Sequence, residues 1–403
     1  MKAVIDEVFY GIVEQLLDGG YVDLESYFVD GTKMEANANR YTFVWRKSTA
    51  NYKEKLREKV KKLLEEIDEA EAAEEERYGE ADLPEVGEGK EIDSEKLKEA
   101  ACRINERLWQ KPDDTQLKKA KKTLESDYIP RMEKYERYEG KFEERNSFSK
   151  TDEDATFMRM KEDHMRNGQL KAGYNIQMGT QNQFILGYSL HRRAGDTSCL
   201  KDHLERLRQW LGEYPEAVVA DAGYGSEENY SYMEEKGIAP FVKYSSFHYE
   251  QKQNYKKKKP YRSENFSYHA QEDAYECPQG KRLRYLQTQR RRSENGFWSE
   301  RKVYECEDCA GCPVKAECTR AKGNRQIQIG VELERLKHKA RENLTSPRGK
   351  TMRAKRPIEV EAVFGRLKQD WGFRRFLLRG LDKVTTEWGL LCIAHNIAKV
   401  AVQ

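Results

Sequence analysis

Val4, Ile5, Val8, Phe9, Ile12, Val13, Leu16 and Leu17 recur at helical spacing before Gly19-Gly20. That pattern predicts an opening amphipathic helix stopped by the glycine pair. From Ser26 the pattern turns β-prone, and the apolar run Tyr27-Phe28-Val29 ends in Asp30-Gly31-Thr32-Lys33-Met34. It reads as a strand that delivers a carboxylate at its end. Between about Asn51 and Asn146 the apolar positions Leu56, Val60, Leu63 and Ile67 step by four and three among acidic side chains. This is a coiled-coil-like seam, broken at Gly79, Pro84, Gly87 and Gly89 and resumed through Leu97, Ile104, Leu108, Leu117, Leu124 and Met132. A helical hairpin or small bundle is expected there.

After Ser147 the strand patterns return. Tyr174 to Gly179 and Phe184 to Leu190 flank a polar turn and predict a β-hairpin. Asp196-Thr197 is read as the N-cap of a helix through Leu200, Leu204 and Leu207. Ala217 to Ala220 is a short apolar run that stops at Asp221-Ala222-Gly223-Tyr224-Gly225. It predicts a buried strand carrying a second carboxylate to a sheet edge, with Gly223 and Gly225 turning the backbone. A helix from about Ser226 to Lys236 and a strand from Ile238 to Tyr244 follow. The order is that of a mixed α/β sheet with carboxylates at strand ends.

The last helical pattern, about Ile358 to Asp370, places Val360, Val363, Phe364, Leu367 and Trp371 on one stripe. Glu361, Gly365, Lys368 and Gly372 lie beside it at steps of four, three and four. A carboxylate and an ammonium two turns apart, roughly 10 Å, thus share one helix edge. The glycine between them leaves room for a phosphate backbone or for close helix packing.

Composition adjusts this picture in two places. Of 403 residues 35% are charged, yet 73 basic and 70 acidic side chains leave a net charge of only +3. The distribution therefore matters more than the sum. The segment from Ser245 to Lys339 gathers Lys256 to Lys259, Arg262, Arg282, Arg284 and Arg290 to Arg292 among Tyr255, Tyr261, Tyr268, Tyr285 and Trp298. Basic side chains interleaved with aromatics suit phosphate contact and base stacking. With neither a signal-peptide pattern nor a membrane-length apolar run, the chain is read as intracellular and cytoplasmic. Its eight cysteines are then free or metal-bound. Cys277, Cys306, Cys309, Cys312 and Cys318 offer the two-residue spacings of a knuckle, and four of them could close a structural zinc site. An iron–sulfur run would place its fourth cysteine three residues on and a proline after that; here Pro313 follows the third.

Asp30, Asp221 and Glu361 are the constellation with chemical content. Acidic residues from two strands and a helix can hold two divalent ions, which activate a hydroxyl and stabilise a leaving oxygen at a phosphodiester without a histidine base. A strand ending in Asp-Gly-Thr also suggests a haloacid-dehalogenase phosphatase, whose nucleophile would fall at Phe28 and is therefore missing.

The chain resembles the bacterial insertion-sequence transposases of the DDE class. The matching stretches are Asp30 to Arg40 with Thr42-Phe43-Val44-Trp45, Gly173-Tyr174-Asn175-Ile176-Gln177, Ala220 to Gly225 and Val360 to Lys368. Arg374 to Gly380 and a closing helix with Glu387, His395 and Asn396 add to them. The resemblance implies a ribonuclease-H-like mixed sheet flanked by helices at 25–50, 147–244 and 345–403. A helical insertion at 51–146 and a basic Cys-rich insertion at 245–344 would interrupt it, after a helical remnant of an N-terminal domain at 1–24. It implies that Asp30, Asp221 and Glu361 bind two Mg²⁺ or Mn²⁺ ions and that Lys368 meets DNA phosphate, with Arg356, Arg374 and Arg375 as further DNA contacts, while Tyr224 either lines the DNA path or packs under its loop. Relatives carry an arginine usually four residues before the glutamate. Arg356 precedes Glu361 by five, and Pro357 takes the usual position. Transposon ends and target DNA, and a homodimer on DNA, are the implied partners, and no membrane. The brief helical segment before the first strand suggests a chain lacking most of its end-recognition domain, so a catalytically inactive DNA-binding remnant is the alternative to an active transposase.

Overall fold

A computed structural model describes residues 2–78, 92–160, 169–252 and 254–402. The chain divides into two compact units, one comprising Met1–Asn37 with Met158–Gln403 and the other Ala38–Phe157.

The smaller unit is helical. Helices Arg46–Tyr78 and Ser94–Gln110 pack with a third that runs from Thr115 through a π-helical turn at Leu124–Tyr128 to Phe142. Leu56, Val60, Leu64 and Ile67 bury against Leu97, Ile104, Leu124 and Met132. The heptad-like seam thus becomes a shared core, with Leu63 only partly buried at its side. Asp93 and Asp114 cap the second and third helices by accepting backbone N–H groups. Phe43–Trp45 pairs with Ser147–Ser149 in a short ribbon, so Thr42 to Trp45 falls in this unit and not with the main sheet. The break expected at Gly79, Pro84, Gly87 and Gly89 lies outside the described residues.

The larger unit is built on a six-stranded mixed sheet of β1 (Tyr27–Glu35), β2 (Thr156–Arg159), β3 (Leu170–Gln181), β4 (Phe184–His191), β5 (Ala217–Ala220) and β6 (Ala239–Val242). The order is β2-β3-β1-β5-β6, with β4 also on β3. β3 runs antiparallel to β1 and to β4, whereas β1, β5 and β6 are parallel. The β3–β4 hairpin turns at Asn182 and Gln183, both at positive φ, as a two-residue turn requires.

Helices α1 (Lys2–Asp18) and α6 (Leu381–Val400) pack together on β4, and α2 (Leu200–Leu211) packs there too. The opening helix is therefore part of this unit, with Phe9, Tyr10, Val13 and Leu16 buried. α3 (Glu227–Glu235), α4 (Val331–Thr345) and α5 (Pro347–Arg356) complete the helical set around β5 and β6. The polar residues of the closing helix serve its docking. Asn396 exchanges two hydrogen bonds with the backbone of Ile185, His395 meets the Gln183 carbonyl at 2.9 Å, and Glu387 accepts the N–H groups of Leu377 and Leu378.

The Cys-rich region holds an element that its sequence pattern did not announce. Five antiparallel strands form a second sheet around the long hairpin Arg282–Arg292 and Trp298–Cys306.

Two tight contacts in the main sheet generate predictions. A Cβ at Gly179 would lie 1.8 Å from the ring of Tyr27, which is fully buried and bonded through its hydroxyl to His203 Nε2 at 2.8 Å. Gly179→Ala is expected to cost about 1–3 kcal/mol of stability, read as a lower urea midpoint. Burial, the main cause, pushes His203 down to about 3, and burial with Arg193 next in effect pushes His191 down to about 4. Both stay neutral in the fold while the unfolded chain takes up protons below about 6.5. Stability is expected to fall as pH drops from about 6.5 toward these depressed values, and His203→Gln should flatten that slope in urea titrations.

Candidate active site

The register of two parallel strands sets the centre. Tyr27 pairs with Val218 and Phe28 with Val219, so continuing two positions brings Asp30 level with Asp221. Strands lie about 4.8 Å apart in a sheet, which makes the two carboxylates neighbours. β1 does not end at its aspartate, as its apolar pattern suggested. It continues to Glu35, paired with β3 throughout, while β5 stops at Ala220 and leaves the Asp30 side of β1 uncovered.

Each aspartate commits one oxygen to backbone. Asp30 Oδ1 accepts the Gly31 N–H at 2.9 Å, and Asp221 Oδ1 accepts the Gly223 N–H at 2.8 Å. Their Oδ2 atoms lie 3.2 and 3.8 Å from Nη2 of Arg356, whose Nη1 is 3.2 Å from Glu361 Oε1. One guanidinium thus draws in all three expected carboxylates. It is buried, as is Asp30, whereas Glu361 is exposed.

The five-residue spacing of Arg356 and Glu361 has a structural cause. Pro357–Glu361 forms a π-helical turn between α5 and the short helix Ala362–Gly365. A π turn takes one residue more than an α turn, so residues five apart share a face. The extra residue that displaced Arg356 from the usual spacing is absorbed there. Glu359, also in this turn, is buried and accepts the Gln183 N–H at 2.7 Å, which ties the turn to the β3–β4 hairpin. A second π turn, Arg366–Asp370, carries Lys368. Its Nζ donates to Thr32 Oγ1 at 2.7 Å, and both residues line a cavity with the three carboxylates, Arg356 and Gly365. A Cβ on Gly365 would meet nothing within 4 Å, so close helix packing does not explain this glycine.

Several expectations are corrected here. Asp196 does not cap α2, which has no side-chain cap. Its Oδ1 accepts from Asn175 at 2.8 Å and Gln177 at 3.0 Å and sits where a Cβ on Gly31 would be. A fourth carboxylate therefore borders the trio. Tyr224 does not line a DNA path, because it is fully buried and its hydroxyl donates to Gln177 Oε1. Burial above all, then the carboxylates of Asp196, Asp30 and Asp221, hold that hydroxyl well above its usual range and keep it a donor. Gly223 and Gly225 are not at positive φ. They provide space, since Cβ atoms there would meet Asp221 Oδ1 at 2.9 Å and the Lys243 carbonyl at 2.4 Å. Arg374 bonds to Gln369 and to the Lys368 carbonyl, and Arg375 to the Ala36 carbonyl and Asn37, both from exposed positions.

Sequence reasoning also missed Lys243. Burial first, then Arg356 and Arg353, lower its pKa, while Asp221 and Glu361 act the other way. Only its position just after β6, parallel to β5 and its Asp221, could have signalled it. As they stand, no three His, Cys, Asp or Glu side chains among the described residues are grouped to hold a metal ion. No helix among them is long and apolar enough to cross a membrane.

The fold and this centre define an α/β protein with an acidic trio at a sheet edge. A family model described as a transposase DDE domain matches residues 276–401, so this part of the chain is similar to such domains. The matched stretch contains Glu361 and Lys368 and begins one residue before Cys277, while Asp30 and Asp221 precede it. Comparisons with curated proteins and with solved structures return no match.

Because the Arg356 charge sits among the oxygens that would ligate metal, Arg356→Gln is expected to tighten Mn²⁺ binding several-fold in calorimetric titration. Asp221→Asn in the same titration should weaken it.

Proposed function

We propose that the chain catalyses divalent-metal-dependent cleavage and strand transfer of DNA, with Asp30, Asp221 and Glu361 as its catalytic carboxylates. The observation that carries this reading is the meeting of all three on one guanidinium, from β1, from the end of β5 and from the π turn after α5. A strand order with β1 between an antiparallel and a parallel neighbour supports a ribonuclease-H-like core. The donors are carboxylate oxygens, which suit Mg²⁺ or Mn²⁺. Two such ions, when bound, supply an activated hydroxyl and charge stabilisation at the leaving oxygen.

The chain's own residues do the rest. The Gly31 and Gly223 N–H groups hold one oxygen of each aspartate and so aim the other into the cavity. Lys368, held by Thr32, offers an ammonium to a phosphate, and Gly365 leaves open space beside it. Arg356 balances the carboxylates and must yield the centre, which leaves its guanidinium able to pair with a substrate phosphate oxygen. Exposed Arg374 and Arg375 extend the basic rim. The hairpin Arg282–Cys306 exposes Tyr285 and Trp298, with the Arg292 guanidinium 5.9 Å over the Trp298 ring, a surface suited to nucleic acid. The DNA partners are transposon ends and target, and joining two ends calls for a dimer on DNA.

Full-length chain incubated with Mn²⁺ and terminal-repeat DNA is expected to nick it. Asp221→Ala should reduce cleavage at least about 10³-fold, the scale of losing a principal electrostatic contributor, with salt-sensitive DNA binding retained in gel shift. Binding by both proteins and cleavage by neither would identify a DNA-binding protein without catalysis.

A further inference from the structure

We infer that Cys277, Cys309, Cys312 and Cys318 form a structural zinc site that staples the base of the long hairpin, and that Cys306 is not a ligand. All five thiols line one small cavity at the foot of the second sheet. They come from separate pieces of chain. Cys277 opens the turn Cys277-Pro-Gln-Gly280 between two strands, closed by the Gly280 N–H on the Cys277 carbonyl at 2.9 Å with Gly280 at φ +75°. Cys309 and Cys312 bracket a second turn with Gly311 at φ +65°, and Cys318 ends the short helix Lys315–Cys318. The apolar core of this sheet is small: Phe266, Leu283, Tyr304 and Ile327 are its buried non-cysteine members. A region with so little apolar burial is one in which metal binding contributes folding energy directly.

Position in the sheet separates the ligands from the fifth thiol. Cys309, Cys312 and Cys318 lie in the turns and short helix outside the strands, where Cys309 Sγ accepts the Arg325 N–H at 3.3 Å. Cys306 belongs to the strand itself, held in register opposite Leu283 with its sulfur 3.7 Å from the Asp308 carbonyl. Four thiolates around Zn²⁺ carry two net negative charges, and Lys281, Lys315 and Arg325 line the same cavity. The thiols ring the cavity without converging on one point, so binding closes the two turns onto the ion.

The staple has a mechanical consequence. At the other end of the hairpin, Asn295 accepts from Arg193 and donates to the Ser198 carbonyl at 3.3 Å. That loop carries Asp196, beside the acidic trio. Fixing the hairpin's base therefore fixes a strut that supports the loop.

Zinc content of the purified full-length chain tests the inference without any DNA assay, so its failure is distinct from failure of the transposase reading. One zinc per chain is expected, falling below about one tenth in Cys312→Ser and Cys318→Ser and unchanged in Cys306→Ser. Should the serine variants not fold, cobalt substitution of the unaltered chain serves in their place. It is expected to give thiolate-to-cobalt charge transfer and the d–d bands of a tetrahedral site. Absence of zinc with all five thiols equally open to a thiol reagent, or iron with acid-labile sulfide in its place, would overturn the site. Zinc lost from Cys306→Ser and kept in Cys312→Ser would overturn the ligand assignment.

Discussion

The parallel pairing of β1 with β5 is the constraint on which the centre depends. Only Tyr27 with Val218 and Phe28 with Val219 are paired, yet those contacts align Asp30 with Asp221. Side chains alternate across a strand, so a slip of one residue would turn Asp30 to the opposite face. The surrounding packing holds this register. Tyr27 fills the space left by Gly179 and Gly187 and is anchored on His203, itself bonded to Ser189. The β3–β4 hairpin is held in turn by Glu359, His395 and Asn396. The same turn that carries Glu361 is thereby fastened to the sheet that carries Asp30.

Concentrating three carboxylates has an electrostatic cost, and Arg356 offsets it. Like charges within a few ångströms repel one another. A buried guanidinium reaching all three relieves that repulsion in the protein alone. A cation that stabilises the apo centre necessarily competes with any cation that binds there. On the proposed function, Arg356 therefore competes with the metal ions for the same carboxylate oxygens.

Much of this was legible in the sequence, for identifiable reasons. The apolar runs before Asp30 and Asp221 are buried strands, and burial on both faces leaves a continuous apolar signature that an abrupt aspartate interrupts. Glu361, Gly365 and Lys368 were legible because helical spacing keeps them on one edge. The π turn was not, because it is an inserted residue inside an otherwise regular apolar stripe, and Pro357 alone does not distinguish it from a helix start. Asp196 was misread because an aspartate before a helix has the composition of a cap; only the sheet brings Asn175 and Gln177 under it. The second sheet escaped notice because its long strand Arg282–Arg292 is exposed along most of its length, so burial imposes no alternation on it. Tyr224 shows the converse: an aromatic residue in a functional loop proved to be its buried support.

The central claim is that Asp30, Asp221 and Glu361 form one metal-binding centre for phosphodiester chemistry. A crystal soaked in Mn²⁺ and measured at the manganese absorption edge tests it most directly. The account predicts anomalous density between these three carboxylates, with the Arg356 guanidinium displaced from among them. Mn²⁺ bound elsewhere, with Arg356 still paired to all three, would contradict it.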